Sequence, residues 1–119
     1  VYTAGSRSLA ILEILVHLNS DLIIPAFSCI EVNCPLDLVV DVFDIADLPA
    51  DWASSLPPEE LKEIGDGWVA GRRSSVVLAV PSAVVTAEFN YLINPAHKDF
   101  NRLEIGKPQD LLLDSRLIK

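Results

Sequence analysis

The predicted centre of the fold is the run SVVLAV at residues 75–80, which Pro81 ends. Every residue after the first is apolar, and an unbroken apolar run of this length is typical of a strand that is buried on both faces. Downstream, residues 88–93 read EFNYLI, in which Phe89, Tyr91 and Ile93 occupy every second position and the polar residues Glu88, Asn90 and Asn94 lie between or beside them. This alternation predicts a second strand close behind the first.

A helix is predicted upstream of these strands. Ser6 or Ser8 is placed to cap its first turn, and it runs to about Leu18, where the polar residues 19–21 end it. Between residues 9 and 18 only Glu13 and His17 are not apolar. A helix that is apolar on every side is expected to be buried nearly all round.

Short strands and a second helical region account for most of the remaining chain. A helix is expected to open at Pro57 and to close at Gly65, and a short third helix is expected to start at Asp66. Further strands are predicted at Leu22–Ile24, Ile30–Cys34, Leu38–Phe43, Leu103–Ile105 and Leu111–Leu113, the last two joined by a hairpin-like turn. The sequence thus predicts a single α+β domain over residues 1–119.

Composition excludes several classes of protein. Half of the 119 residues are hydrophobic, which argues against disorder, yet no apolar stretch reaches the ~18–20 residues of a membrane span. The chain has 9 basic and 17 acidic residues, and its net charge of -8 argues against direct binding to nucleic acid. Cys29 and Cys34 suggest neither a zinc site nor a disulfide framework, and reduced thiols fit the cytoplasm.

The chain contains no Met, not even at position 1, and it opens in the middle of a sequence pattern, at residues 1–3. We therefore expect it to be part of a longer protein.

Glu13 is the strongest chemical signal in the sequence. A carboxylate on an apolar helix costs several kcal/mol if it is buried, charged and unpaired, so it must protonate or face a polar partner. Perturbed carboxylates of this kind serve glycosyl-transfer chemistry. Alternatively, Glu13 pairs with His17 one turn later. The same spacing read as a metal pair is weak, and no metal site is expected.

Ser82 follows the central strand directly. Ligand crevices form at the carboxyl ends of such strands, so its hydroxyl is a candidate site group. Ser after Pro is equally an ordinary turn residue. The motif of a hydrolase nucleophile, GxSxG, does not surround it.

Several segments resemble, in the same order, the motifs of the RES domain family, which is named for its Arg, Glu and Ser. The resemblance covers essentially the whole chain, and several ordered motifs are far more specific than any single one. The segments are Val1–Ala4, Ser8–Leu18, Ile64–Trp68, Val80–Val85, Glu88–His97 and Asp114–Leu117.

The resemblance implies an ADP-ribosyltransferase-like fold with mostly antiparallel central sheets and a few flanking helices. It implies a toxin of a bacterial toxin–antitoxin pair that degrades NAD at the nicotinamide–ribose bond, by hydrolysis or, with inorganic phosphate as co-substrate, by phosphorolysis. NAD is then the substrate, and no resident cofactor is expected. The implied partner is an Xre-type helix-turn-helix antitoxin that blocks the site and binds operator DNA, so this acidic chain need not bind DNA itself.

Residue by residue, Glu13 matches the Glu and Ser82 the Ser of the family, and both are predicted to be catalytic. Tyr2 matches an aromatic hydroxyl position beside the site, and Asn94 lies within the matching segment Glu88–His97; both are predicted to bind substrate. The family Arg, a fork-shaped donor suited to the NAD phosphates, is expected upstream of Val1.

Two other functions stay open. A mono-ADP-ribosyltransferase that modifies a protein shares the fold and the catalytic Glu. A non-catalytic interaction domain would need neither the Arg nor turnover. The apolar excess favours a homodimer or a stable antitoxin complex, because exposed apolar patches usually mark interfaces.

Overall fold

The computed structural model describes residues 1–17, 27–44, 46, 48–53, 59–70 and 75–117. The predicted strand Leu22–Ile24, the prolines at 57 and 58 and the predicted helix end at Leu18 lie outside these residues. The elements are β1 (Tyr2–Ala4), α1 (Arg7–His17), β2 (Phe27–Cys29), β3 (Val32–Asn33), β4 (Val40–Val42), α2 (Glu59–Ala70), β5 (Val77–Pro81), β6 (Phe89–Ile93), β7 (Glu104–Ile105) and β8 (Gln109–Leu111).

A four-stranded sheet organises the fold, in the order β1-β6-β5-β4. β6 pairs antiparallel with both β1 and β5, whereas β4 runs parallel to β5. The predicted central strand is confirmed, since β5 lies inside the sheet and Val76 to Ala79 are buried. The architecture is α+β, with one mixed sheet, two small antiparallel sheets and few helices.

The core lies against one face of this sheet, which we call the core-side face. Val77 and Ile93 lie opposite each other in the register of β5 and β6, so their side chains point to that same face. Leu38, Val76 and Leu103 complete the buried cluster, and Val32, Val40, Tyr91 and Phe100 pack against it.

Helix α1 lies over the opposite face, which we call the helix-side face. The prediction of a cap at Ser6 or Ser8 is resolved in favour of Ser6, whose Oγ accepts the Leu9 N–H at 3.1 Å. The expected burial all round is wrong: Leu9 is 1% exposed, but Leu12 is 40% and Val16 59% exposed. One face of the helix meets the sheet, and Leu9 and Glu13, one turn apart, share a side of the helix.

Residues Glu59–Ala70 form one continuous helix. The predicted end at Gly65 and the separate helix from Asp66 are therefore wrong. A glycine in a helix interior costs only about 1 kcal/mol relative to alanine, so Gly65 alone does not end a helix. None of the described helices is long and apolar enough to cross a membrane.

The predicted hairpin between the last two strands is also wrong. β8 pairs with β2 and β7 pairs with β3, both antiparallel, so neither strand pairs with the other. Between the two ladders the Gly106 N–H donates to the Glu31 carbonyl at 2.8 Å. A Cβ at Gly106 would lie 3.2 Å from that oxygen, so this close approach favours glycine. Local turn residues cannot reveal such long-range pairing.

Candidate active site

Glu13 points from α1 to the helix-side face and meets polar partners there. Its Oε1 accepts a hydrogen bond from Ser82 Oγ at 2.9 Å and another from Asn90 Nδ2 at 2.8 Å. The structure thus resolves the sequence alternatives, because Glu13 faces polar partners across the sheet. No hydrogen bond joins it to His17, which is exposed, within the described part of the chain.

Ser82 is held by the turn that follows β5. It is completely buried, and its Oγ accepts the N–H groups of Val84 and Val85, each at 3.1 Å. These two donors occupy the oxygen lone pairs, so the hydroxyl hydrogen is left for Glu13. Ser82 is therefore both a turn residue and a donor to the candidate site, and it acts here as a hydrogen-bond donor.

Asn90 is the site residue that sequence reasoning missed. It is completely buried on β6, opposite Val80 of β5, and its Nδ2 donates to both Glu13 and the Tyr2 hydroxyl. The polar positions of residues 88–94 were visible as an alternating pattern. That pattern does not show which face of the strand meets a carboxylate from another element.

Tyr2 lies on β1, which pairs with β6, and its side chain extends toward Asn90 and Glu13. Tyr2 as a whole is 56% exposed, but its hydroxyl group lies beside Asn90 and Glu13. Burial, the negative charge of Glu13 and a hydrogen bond to that carboxylate raise the pKa of Tyr2 from 10.0 to about 12. The phenol is thus neutral at physiological pH and keeps a hydrogen that it can donate.

Three of the four predicted site residues therefore meet. Tyr2, Glu13 and Ser82, joined by Asn90, are called the polar cluster below. Asn94 is placed differently: it follows β6, its backbone N–H donates to Val76, and its Oδ1 accepts the Ala96 N–H at 3.1 Å. Its side chain stabilises a turn, and no hydrogen bond links it to the polar cluster among the described residues. Its role in substrate binding stays a prediction.

A cavity on the described surface does not contain the polar cluster. It has a volume of about 420 Å³ and is lined by Val42, Phe43, Asp44, Pro81, Thr86 and Phe89. The register places Pro81 opposite Phe89 and Val42 opposite Ala79, so this cavity opens on the core-side face. Glu13 reaches the sheet from the other side, and the cavity is separate from it.

The polar cluster provides one fixed negative charge beside neutral donors. Two charge-assisted hydrogen bonds end on Oε1 and hold that oxygen in place. Within the described ranges, no three His, Cys, Asp or Glu side chains are grouped to hold a metal ion. Such a carboxylate is suited to stabilising positive charge that develops on a substrate.

Comparison with known proteins identifies relatives over the whole chain. The family model described as "RES domain" matches residues 1–114. "Toxin Res" of Photorhabdus laumondii is 40% identical over 120 residues, which cover 100% of this chain and 76% of that protein. "Toxin Res" of Yersinia enterocolitica is 35% identical over 118 residues, covering 98% of this chain and 76% of that protein.

A third relative carries a different name. The "Prs ADP-ribosylating toxin" of a Sphingobium species is 35% identical over 121 residues, covering 100% of this chain and 74% of that protein. The resemblance found in the sequence is confirmed by the family match and by these relatives together. The chain belongs to the RES domain family, whose fold is ADP-ribosyltransferase-like.

Proposed function

We propose that this RES domain protein is a toxin that depletes NAD by cleaving the bond between nicotinamide and ribose. The observation that carries the proposal is the Glu13 carboxylate, held on Oε1 by Ser82 and Asn90 beside the neutral Tyr2 hydroxyl. The naming of its relatives as toxins supports the broader role.

In this reaction the protein mainly stabilises charge and positions the reacting groups. When the bond from C1 of the ribose to the nicotinamide nitrogen breaks, its electron pair goes to the nitrogen, and nicotinamide leaves as a neutral molecule. The ribose carbon becomes oxocarbenium-like, and Glu13 offsets its positive charge, as carboxylates do at other glycosidic centres. Tyr2 orients the nicotinamide end of the substrate.

A nucleophile completes the reaction at C1. Water forms a bond to that carbon and loses a proton, which gives ADP-ribose; inorganic phosphate in its place gives ADP-ribose 1″-phosphate. We propose that no resident cofactor takes part, because NAD already contains its leaving group. Ser82 donates its only hydrogen to Glu13, so it positions the carboxylate and does not attack the substrate.

The proposed partner is an Xre-type helix-turn-helix antitoxin that covers the site and carries the DNA-binding function of the pair. The net charge of -8 supports this division, because an acidic chain is poorly suited to phosphate contacts. We expect the protein to act in the cytoplasm, where its NAD substrate is found. A homodimer is a further prediction.

Transfer of ADP-ribose to a protein is the second candidate function. It is favoured by the relative named as an ADP-ribosylating toxin. Both reactions pass through the same cleavage of NAD, and they differ only in the group that captures C1. The polar cluster serves either outcome.

Product analysis separates these functions. Protein expressed from its full reading frame, and freed of antitoxin, is incubated with NAD labelled in the adenine, with and without phosphate. Phosphate-independent ADP-ribose supports hydrolysis, and the 1″-phosphate supports phosphorolysis. Label on added bacterial protein supports transfer. If NAD is not consumed under any of these conditions, the catalytic proposal is wrong and the chain is an interaction domain.

A further inference from the structure

Asn90 joins the polar cluster, although the sequence resemblance assigns it no role. We propose that Asn90 is a positioning residue that fixes both the Glu13 carboxylate and the Tyr2 hydroxyl for the reaction. This role rests on the proposed cleavage of NAD, and it names the group that holds the reacting carboxylate in place.

The hydrogen bonds of Asn90 have a defined direction. An amide nitrogen has two hydrogens, and here one points to Glu13 Oε1, at 2.8 Å from the nitrogen, and the other to the Tyr2 oxygen. The reverse amide orientation would place a carbonyl oxygen against the carboxylate. Electrostatic repulsion excludes that arrangement, so Glu13 fixes the amide and the amide fixes Glu13.

The burial of the Asn90 side chain indicates that an amide is present at this position for the two hydrogen bonds that it donates. Asn90 is 0% exposed, and its Oδ1 has no hydrogen-bond partner among the described residues. A buried acceptor without a partner destabilises the fold, so the amide oxygen does not explain why Asn is present at this position. The strand gains no stability from the amide oxygen, and the two donated bonds remain as its contribution.

The same amide sets the direction of the Tyr2 hydroxyl. Because the phenol oxygen accepts from Asn90, its own hydrogen is free to point toward the neighbouring Glu13 carboxylate. Ser82 O–H and Asn90 N–H thus both donate to one carboxylate, and the Tyr2 hydroxyl lies beside it. Only Asn90 contacts two other members of the cluster by donation, so it links β1, β6 and α1 at this site.

Replacement of the amide by an aliphatic residue tests the role. We expect Asn90→Leu to lower kcat for NAD consumption on the order of 100-fold, the usual cost of misplacing a reacting group, with KM within about twofold of wild type. The thermal midpoint should fall, because Glu13 and Tyr2 lose a donor, and turnover is therefore compared at a temperature at which both proteins are folded. Tyr91→Phe removes a polar group from the next position of β6 on the core-side face, and it should keep the wild-type kcat.

A carboxyl at the same position provides an independent test. In Asn90→Asp the introduced carboxyl lies beside Glu13, and the neighbouring negative charge raises the pKa of that carboxyl. While protonated it donates to Glu13 as the amide does; once ionised it repels Glu13. Turnover of Asn90→Asp should therefore fall as pH rises through that pKa, a loss absent from wild type and from Tyr91→Phe.

Side-chain amide signals in ¹⁵N NMR separate failure of this role from failure of the proposed function. The Asn90 pair, identified by its loss in Asn90→Asp, should shift in Glu13→Gln and Tyr2→Phe and stay in place in Tyr91→Phe. If these shifts occur but wild type consumes no NAD, the cluster geometry stands and the proposed function is wrong.

Any of three results would overturn the role of Asn90. The first is a wild-type kcat in Asn90→Leu, and the second is a pH profile of Asn90→Asp that matches wild type or shows no activity at any pH. The third is an Asn90 amide signal that does not shift in Glu13→Gln. If Asn90→Leu fails to fold, the pH profile and the amide signals decide the question.

Discussion

The two faces of the four-stranded sheet carry different kinds of residue on the same strands. On β6, Tyr91 and Ile93 face the core, while Asn90 faces α1 and Glu13. On the core-side face, buried side chains are apolar and serve stability. On the helix-side face, the apolar Leu9 and Leu78 are buried together with the polar Ser82 and Asn90, and the two polar residues donate hydrogen bonds to one carboxylate. Because side chains alternate along β6, a residue of the candidate site and a residue that packs in the core are direct neighbours in the chain.

The largest expected effect concerns the carboxylate. Glu13→Gln keeps an oxygen that accepts from Ser82 and Asn90 but removes the negative charge, so NAD turnover should fall on the order of 10²–10³-fold, the usual cost of losing one electrostatic group in an active site. The thermal midpoint should stay near that of wild type. Turnover and melting measured on the same preparation check this. Wild-type turnover would show that the helix-side face does not carry the reaction.

A smaller effect is expected three residues along β6 from Asn90, on the other face. Ile93 is 7% exposed in the core, and Ile93→Val should lower the free energy of unfolding by about 0.5–1.5 kcal/mol. Turnover of the folded protein should not change. Denaturant unfolding and NAD consumption measure the two quantities. A loss of turnover with unchanged stability would erase the distinction between the faces.

The smallest effect concerns Tyr2 at high pH. Its pKa is about 12 in the folded protein and 10.0 in an unfolded reference, so the folded state keeps a proton that the unfolded state loses. This contribution to stability is fully present below pH 10 and is lost as pH rises toward 12. Partial exposure of the ring keeps it small. The free energy of unfolding of wild type should fall more steeply over this range than that of Tyr2→Phe.

Tyr91→Phe is the matched control for that measurement. Tyr91 lies on the core-side face and does not touch Glu13 in the described structure, so this variant should keep the wild-type slope. A steep slope retained in Tyr2→Phe would show that another group causes it.

The sequence predicted the parts of the fold that depend on local pattern. The apolar run at residues 75–80 gave β5, the serine cap gave the start of α1, and ordered motifs gave the family. The predicted hairpin and the predicted helix end at Gly65 were wrong, because turn and glycine signals are local. The pairing of β7 and β8 is set by strands far away in the chain.

The candidate site was predictable only in part, for the same reason. The cost of burying Glu13 showed that it needs polar partners, and the resemblance supplied Ser82 and Tyr2. Asn90 could not be found from alternation alone, because its partner lies on a helix 77 positions away. The full burial expected for α1 failed because the helix turns Leu9 and Glu13 to the sheet and leaves Leu12 and Val16 outside.

The central claim is that the helix-side face acts as one unit through Glu13, and a double-mutant cycle on NAD turnover tests it most directly. Ser82→Ala should lower turnover when Glu13 is present, because the carboxylate loses a donor. In the Glu13→Gln background the same change should cost almost nothing more, since groups that act as a unit are not additive. If the two losses instead multiply, Ser82 acts independently of Glu13, and the claim is contradicted.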